Sequence, residues 1–337
     1  TENGSLTVHR ALGRGFLPQT LTDVYGTRRE GLRLGRRFDL VLAHQSTTAV
    51  GATAARLGAP LALVYHASAV RELRFLRSRL RVGGRRLAAY GLELPLVAAE
   101  RLAVRRAARV LVLSDFSRRL LASDHPGATP VRVRGGVDTT TFRPADGRTA
   151  ARLRLGLAED GVLLVAVRRF EPRMGLEELL GAFTRLEGAA TLALVGSGLL
   201  EPRLRALASD LGVDGRVLFP GRVGDDALPD WYRAADLVVL PTVAYEGFGL
   251  ATVEALACGT PVVGSPVGAT PELLGPLDRR LLADSAEPGA LAAAIRAGLE
   301  LGGEELGRRC REHAEREYAW DAVIGDWEAA LEETARA

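Results

Sequence analysis

The sequence predicts an α/β protein built as two doubly wound domains in series, and three observations lead there. Short β-branched or leucine-rich runs recur along the chain, bounded by Gly and Pro. Segments of helical period separate them. The strand runs are apolar throughout instead of alternating, as parallel strands covered on both faces require. A chain of 337 residues is long enough for two domains of ordinary size.

In chain order, the first half reads as strands at Leu6–Leu12, Asp39–His44, Leu61–His66, Arg109–Ser114 and Val131–Arg134. A break follows near Gly135–Asp146, where Phe142-Arg-Pro144 and polar residues lead into a helix at Thr149–Leu155. The second half reads as strands at Val162–Phe170, Thr191–Gly196, Val217–Gly221, Asp236–Pro241 and Pro261–Gly264, with a weak one near Leu281. Between them lie helical patterns at Leu176–Glu187, Glu201–Leu211, Asp225–Ala235 and Leu250–Cys258. A charged helical tail, Glu304–Ala335, carries Trp320 and Trp327. The domains are therefore expected at 1–145 and 146–310, with 311–337 as a closing helix.

Composition narrows the function. With 47% hydrophobic and 25% charged residues, the chain is a globular one. The longest uncharged stretch, Ala255–Pro271, is broken by Gly259, Pro261, Gly264, Pro266 and Gly268, so it does not read as a membrane span. The opening TENGSLTVHR has no apolar core of a secretory leader, and Cys258 and Cys310 have no metal-ligand spacing. A cytoplasmic location and reduced thiols are expected. The 44 basic side chains are all arginine, which suits bidentate recognition of phosphate. A net charge of +3 without interleaved aromatics does not describe a nucleic-acid binder.

The strongest chemical signal is Glu246-Gly-Phe-Gly-Leu-Ala-Thr-Val-Glu254, between a strand ending at Pro241 and a helix stopping at Gly259. Gly247 and Gly249 let backbone approach a ligand, and the helix behind them offers free N–H groups at its positive end. Such a loop at the carboxyl end of a parallel strand is an anion site. On the residues alone, Glu254 is either a solvated helix carboxylate or one that seeks a partner such as paired sugar hydroxyls. His66 ends the strand Leu61–Val64, and His44 ends DLVLAHQ in the same way as a weaker candidate. His9, His125 and His313 lack such a context.

This segment resembles the E-x7-E motif of glycosyltransferase family 4, a group of retaining enzymes with the GT-B fold. The resemblance covers nearly the whole second domain: RRFEPRMG at Arg168–Gly175, LVGSG at Leu194–Gly198, VLFPGRV at Val217–Val223 and WYRAADLVVLPT at Trp231–Thr242 precede it in order. It implies two Rossmann-like domains facing a cleft, with the closing helix crossing back to the first. It implies a nucleoside-diphosphate sugar as donor, UDP- or GDP-linked, transfer to an acceptor hydroxyl with retention, no metal and no further cofactor.

Residue by residue, the resemblance places Glu246 at the donor sugar and His66 beside sugar and acceptor. It places Arg169 on the diphosphate, where fixed positive charge stabilises the leaving group. Backbone of Gly247, Phe248, Gly249 and Leu250 would hold the diphosphate, Glu254 the ribose, and Arg222–Val223 the base edge, with Gly196 also at the donor. The usual Gly-Arg-x-x-x-x-Lys-Gly reads Arg168-Arg169-Phe170-Glu171-Pro172-Arg173-Met174-Gly175 here, so methionine stands at the lysine position. Arg173 or Arg168 would have to supply that charge. The family also opens with a strand and a glycine-rich loop that the first thirty residues do not show, so the first domain is expected to lack them here, through a piece missing from this chain in preference to a natural reduction.

Two other function classes follow from these departures. One is a non-catalytic nucleotide-sugar-binding subunit; the other is a phosphorylase or epimerase on the same fold. Finally, arginines punctuate apolar residues from Arg71 to Leu87, a pattern of a solvated face, of a loop beside the acceptor, or of an anionic membrane contact at the inner face of the plasma membrane.

Overall fold

The structure, a computed structural model, describes residues 19–34, 38–79, 84–186, 188 and 190–337. The strand read at Leu6–Leu12, and His9 with it, lies outside these residues. The chain divides into two compact units, each described here by itself. The first comprises residues 1–113, 117–133 and 326–337; the second comprises 114–116 and 134–325. The sequence break was read a little further on, at Gly135–Asp146.

The first unit holds a parallel sheet of four strands in spatial order β1-β2-β3-β4: β1 Val41–Ala43, β2 Leu61–Val64, β3 Arg109–Val112 and β4 Val131–Arg132. Register follows from Leu42 opposite Ala62, Leu63 opposite Val110 and Leu111 opposite Val131. The two-residue period of a strand divides the core into two layers. Leu61, Leu63, Tyr65, Val110, Val112 and Leu121 pack on one side. Val64, Leu111 and Val133 pack on the other, against Trp327 and Ala330 of the last helix, Trp320–Ala335. Both faces are thus covered, which explains why these strands read as unbroken apolar runs.

A cluster of polar groups is buried in the same unit. Glu100, on the helix Gly84–Arg106, accepts hydrogen bonds from Tyr65 Oη at 3.0 Å and Ser68 Oγ at 3.0 Å, and lies 3.2 Å from His125 Nε2. His125 therefore has a structural partner. On the helix Ala69–Arg79, Arg71 binds Asp124 at 2.6 Å, while Arg74 and Arg77 both bind Glu93.

The second unit is a five-stranded parallel sheet in the order β7-β6-β5-β8-β9. Its strands are β5 Leu163–Val167, β6 Thr191–Val195, β7 Val217–Gly221, β8 Leu237–Leu240 and β9 Val262–Gly264. The chain winds outward from β5 to β7, then returns to the other side of β5 for β8 and β9. That reversal makes the gap between β5 and β8 the topological switch point, where open α/β sheets bind their ligands. The weak strand read near Leu281 is a three-residue 3-10 turn, Arg279–Leu281, with one parallel bridge from Leu282 to Gly264. The charged tail is two helices, Glu304–Tyr318 and Trp320–Ala335, parted at Ala319, whose ψ of 142° is extended. Cys258 and Cys310 are both buried and free, and burial pushes each thiol up to about 12. Among the described residues, no helix is long and apolar enough to cross a membrane.

Candidate active site

Two loops meet at the switch point, the one after β5 (168–175) and the one after β8 (241–249). Gly175 has φ 72°, and a Cβ there would lie 1.8 Å from the Pro241 carbonyl oxygen, so the loops approach as closely as backbone permits. Val243 N donates to Arg173 O at 2.9 Å, and Arg173 Nη1 donates to Tyr245 O at 3.1 Å. Tyr245 itself sits at φ 55°, a strained conformation of the kind that gathers at functional loops.

Glu246 is seated from two sides. Its backbone oxygen accepts from Ala269 N at 2.8 Å, and Gly268, at φ 67°, lies so close that a Cβ would stand 2.2 Å from that oxygen. Its side chain is buried with Oε2 2.9 Å from Arg168 Nη1 and 3.0 Å from Thr242 Oγ1. Arg168 Nη2 also donates to Thr242 Oγ1 at 2.9 Å, which closes a triangle. Burial alone would raise the Glu246 carboxyl; Arg168, Thr242 and Arg173 more than offset it, so it sits below its ordinary range and is charged.

Beyond it, Gly249 at φ 88° is the N-cap of the helix Leu250–Ala257 and, having no side chain, leaves the first N–H groups uncapped. Phe248 is buried edge-on to Tyr318, with its ring over Gly135, while Leu250 is half exposed. Glu254, one turn further on, is buried and accepts from Tyr232 Oη at 2.6 Å. Burial raises its carboxyl, against the lowering effect of that hydrogen bond. The partner that Glu254 was expected to seek is thus present within the protein on one oxygen. Sequence reasoning missed Tyr232, although a tyrosine among the apolar residues Trp231, Ala234 and Ala235 was the available signal.

Arg169 is turned outward and, among the described residues, pairs with Glu171 at 3.1 Å; the buried guanidinium at the switch point belongs to Arg168. Arg168 Nε is buried with no hydrogen-bond partner among the described residues. Met174 is buried in the core of the post-β5 turn. Gly196 follows β6 and donates to Gly221 O at 2.9 Å, and Arg222 and Val223 follow β7, the first exposed and the second half-buried. Carboxyl ends of four adjacent strands therefore hold every candidate of the second domain. His66 belongs to the first unit, at the end of β2, where its Nε2 lies 3.2 Å from His44 Nδ1. A cavity of about 870 Å³ in that unit opens around Arg101, Arg105 and Arg109, at the opposite, N-terminal edge of the sheet, which is not where such sheets place their chemistry.

The family profile described as Glycosyl transferases group 1 matches residues 148–317. The D-inositol 3-phosphate glycosyltransferase of Acidothermus cellulolyticus is 34% identical over 329 residues, 91% of this chain and 70% of the relative. The chain belongs to the group 1 glycosyl transferases. A relative of the same name from Geodermatophilus obscurus is 39% identical over 243 residues, 66% of this chain and 53% of its own length. The chain thus spans about half of some group 1 relatives it matches. Among solved structures, sucrose-phosphate synthase from Thermosynechococcus elongatus superposes with a TM-score of 0.80 at 23% identity, covering 96% of this chain and 81% of that one. Anabaena HepE in complex with UDP and glucose gives 0.75 at 21%, with 90% and 80% covered. These likenesses establish the fold, and it is GT-B: this group 1 member has the two Rossmann-like parallel sheets that the sequence predicted.

Proposed function

We propose that the protein transfers a sugar from a nucleoside-diphosphate donor to an acceptor hydroxyl, with retention at the anomeric carbon and without a metal. The observation that carries the reading is the pair of buried carboxylates, Glu246 and Glu254, flanking an uncapped helix N-terminus at the switch point of the second sheet. The N–H groups after Gly247 suit the diphosphate. Glu254 has one oxygen on Tyr232, and the other suits a ribose hydroxyl. Glu246 suits the donor sugar, and Arg222–Val223 the base edge. Because Met174 is buried where the family has lysine, Arg168 and Arg173 supply positive charge, and Arg169 reaches the diphosphate from its exposed position. The acceptor oxygen bonds to the anomeric carbon as the bond to the β-phosphate oxygen breaks, on the same face of the sugar. The hydroxyl proton passes to the departing diphosphate, and the family resemblance gives His66 the acceptor-side role.

Structural neighbours in complex with UDP and with UDP-glucose support uridine as the first base to test. The relatives' name supports a small polyol phosphate as the first acceptor, ahead of lipid, polysaccharide or secondary metabolite. A contact with anionic membrane through Arg71–Leu87 draws less support, since Asp124 and Glu93 already hold Arg71, Arg74 and Arg77. The test is a thermal-shift series with UDP, GDP, ADP and dTDP against AMP, followed by donor turnover. A selective shift by one diphosphate and release of that diphosphate from its sugar support the enzyme. Binding without turnover supports a non-catalytic donor-binding subunit, the reading that the buried Met174 favours. No shift with any diphosphate overturns both.

A further inference from the structure

His44 and His66 end neighbouring parallel strands, β1 and β2, and the sequence marks each as a strand-end histidine without relating them. In the structure their rings are 17° from parallel, with centroids 5.5 Å apart and His44 Nδ1 3.2 Å from His66 Nε2. The centroid separation exceeds the nitrogen separation by about two ring radii. Both nitrogens therefore lie on the line joining the rings, and the planes meet edge to edge, not face to face. That is the geometry of an in-plane N–H···N hydrogen bond, in which one nitrogen is donor and the other acceptor.

A metal does not fit the same geometry. Two imidazoles on one zinc each stand about 2.0–2.1 Å from the ion along lone pairs that converge at a tetrahedral angle. Here the lone-pair lines coincide, and 3.2 Å is too short to hold an ion between the nitrogens.

We propose that His44 is a positioning residue for His66: the shared proton fixes the tautomer and ring angle of His66 and leaves His66 Nδ1 as the nitrogen that meets substrate. The inference rests on the reading of His66 as a substrate-side group. Charging both rings is opposed by their proximity, so the pair holds a single proton between the facing nitrogens over the neutral range. Burial lowers the pKa of both rings, and the neighbouring His44 lowers that of His66 further, in agreement.

The test is nitrogen-detected NMR of ring-labelled histidine in the full chain, assigned with His66→Gln. In the parent protein His66 should show one tautomer. In His44→Ala its ring nitrogens should move to the averaged shifts of a free imidazole, and its titration should move up toward 6.5. Asn places its amide where Nδ1 stands and Gln places it one bond further out, so His44→Asn should restore the parent signals and His44→Gln should not. That contrast decides the matter even if the alanine variant fails to fold. Identical His66 shifts and titration in the parent, Asn and Gln proteins would overturn the proposal. In turnover, kcat should fall by about tenfold to a hundredfold in the Gln variant and return in the Asn variant, with donor KM unchanged. If no donor is ever turned over, the enzyme reading fails while the spectra still decide how His66 is held.

Discussion

Arg168 and Arg169 are neighbours with opposite situations, and substitutions separate their roles. Arg168→Ala leaves Glu246 buried without its cation, so it should destabilise the fold by about 3–5 kcal/mol in denaturant unfolding. Arg169→Ala removes an exposed side chain, so stability should stay within about 0.5 kcal/mol while turnover falls. Equal activity of that variant would take Arg169 out of the reaction. Glu254→Ala should weaken nucleoside-diphosphate binding by about 1–3 kcal/mol in calorimetry, and unchanged affinity would remove Glu254 from the donor site. At this scale the sequence told less than half. The two glutamates stood out because they are the charged ends of an uncharged segment. Their partners did not, because Arg168 lies 78 positions from Glu246 and Tyr232 lies 22 from Glu254, and local pattern carries no information on such pairings. Arginine where the family has glycine was the one visible hint.

At the scale of elements, the strands were legible because apolar runs bounded by Gly and Pro have few other readings. All four described strands predicted for the first sheet and the five firmly predicted for the second are present. The failures have physical causes. Near Leu281 the Asp278 carboxylate accepts from Arg280 N, which turns the chain into a 3-10 turn before a ladder can form. In the tail, helical period continues through Ala319, but Trp320 N donates to Val137 O at 3.3 Å and Val137 N to Tyr318 O at 2.7 Å, and these bonds need extended backbone there. Loop seating yields a prediction of its own. Gly268→Ala would need both a left-handed φ and a shift of the Glu246 backbone, so it should cost about 1–3 kcal/mol and weaken donor binding with it. A variant of parent stability and affinity would show that the post-β9 loop does not seat Glu246.

Across the whole molecule, three histidines share one direction of shift. Burial lowers the pKa of His44, His66 and His313 below 6.5. Well above that pH, from about 8 upward, the rings are neutral in folded and unfolded chains alike and contribute no slope. As pH falls through 6.5, the unfolded chain takes up protons that the folded chain refuses, so stability should fall. Glu254, whose carboxyl burial raises, acts in the opposite sense at lower pH, so the histidine slope is best read between about pH 7 and 6. A midpoint of denaturant unfolding that stays level across that interval would contradict the shifts.

The two thiols carry a last consequence. Cys258 ends the helix that begins after the loop 241–249, Cys310 lies on the helix packed beside it, and both are sealed from solvent with thiolates disfavoured. Neither can react with an alkylating reagent until the second unit opens. The rate of alkylation is therefore a chemical clock for that opening, written into the chain without any added label. When opening and closing outpace the reagent, a diphosphate that binds the proposed donor site should, at a hundred times its Kd, slow the clock about a hundredfold, so a mass spectrometer alone can test each nucleotide for that binding.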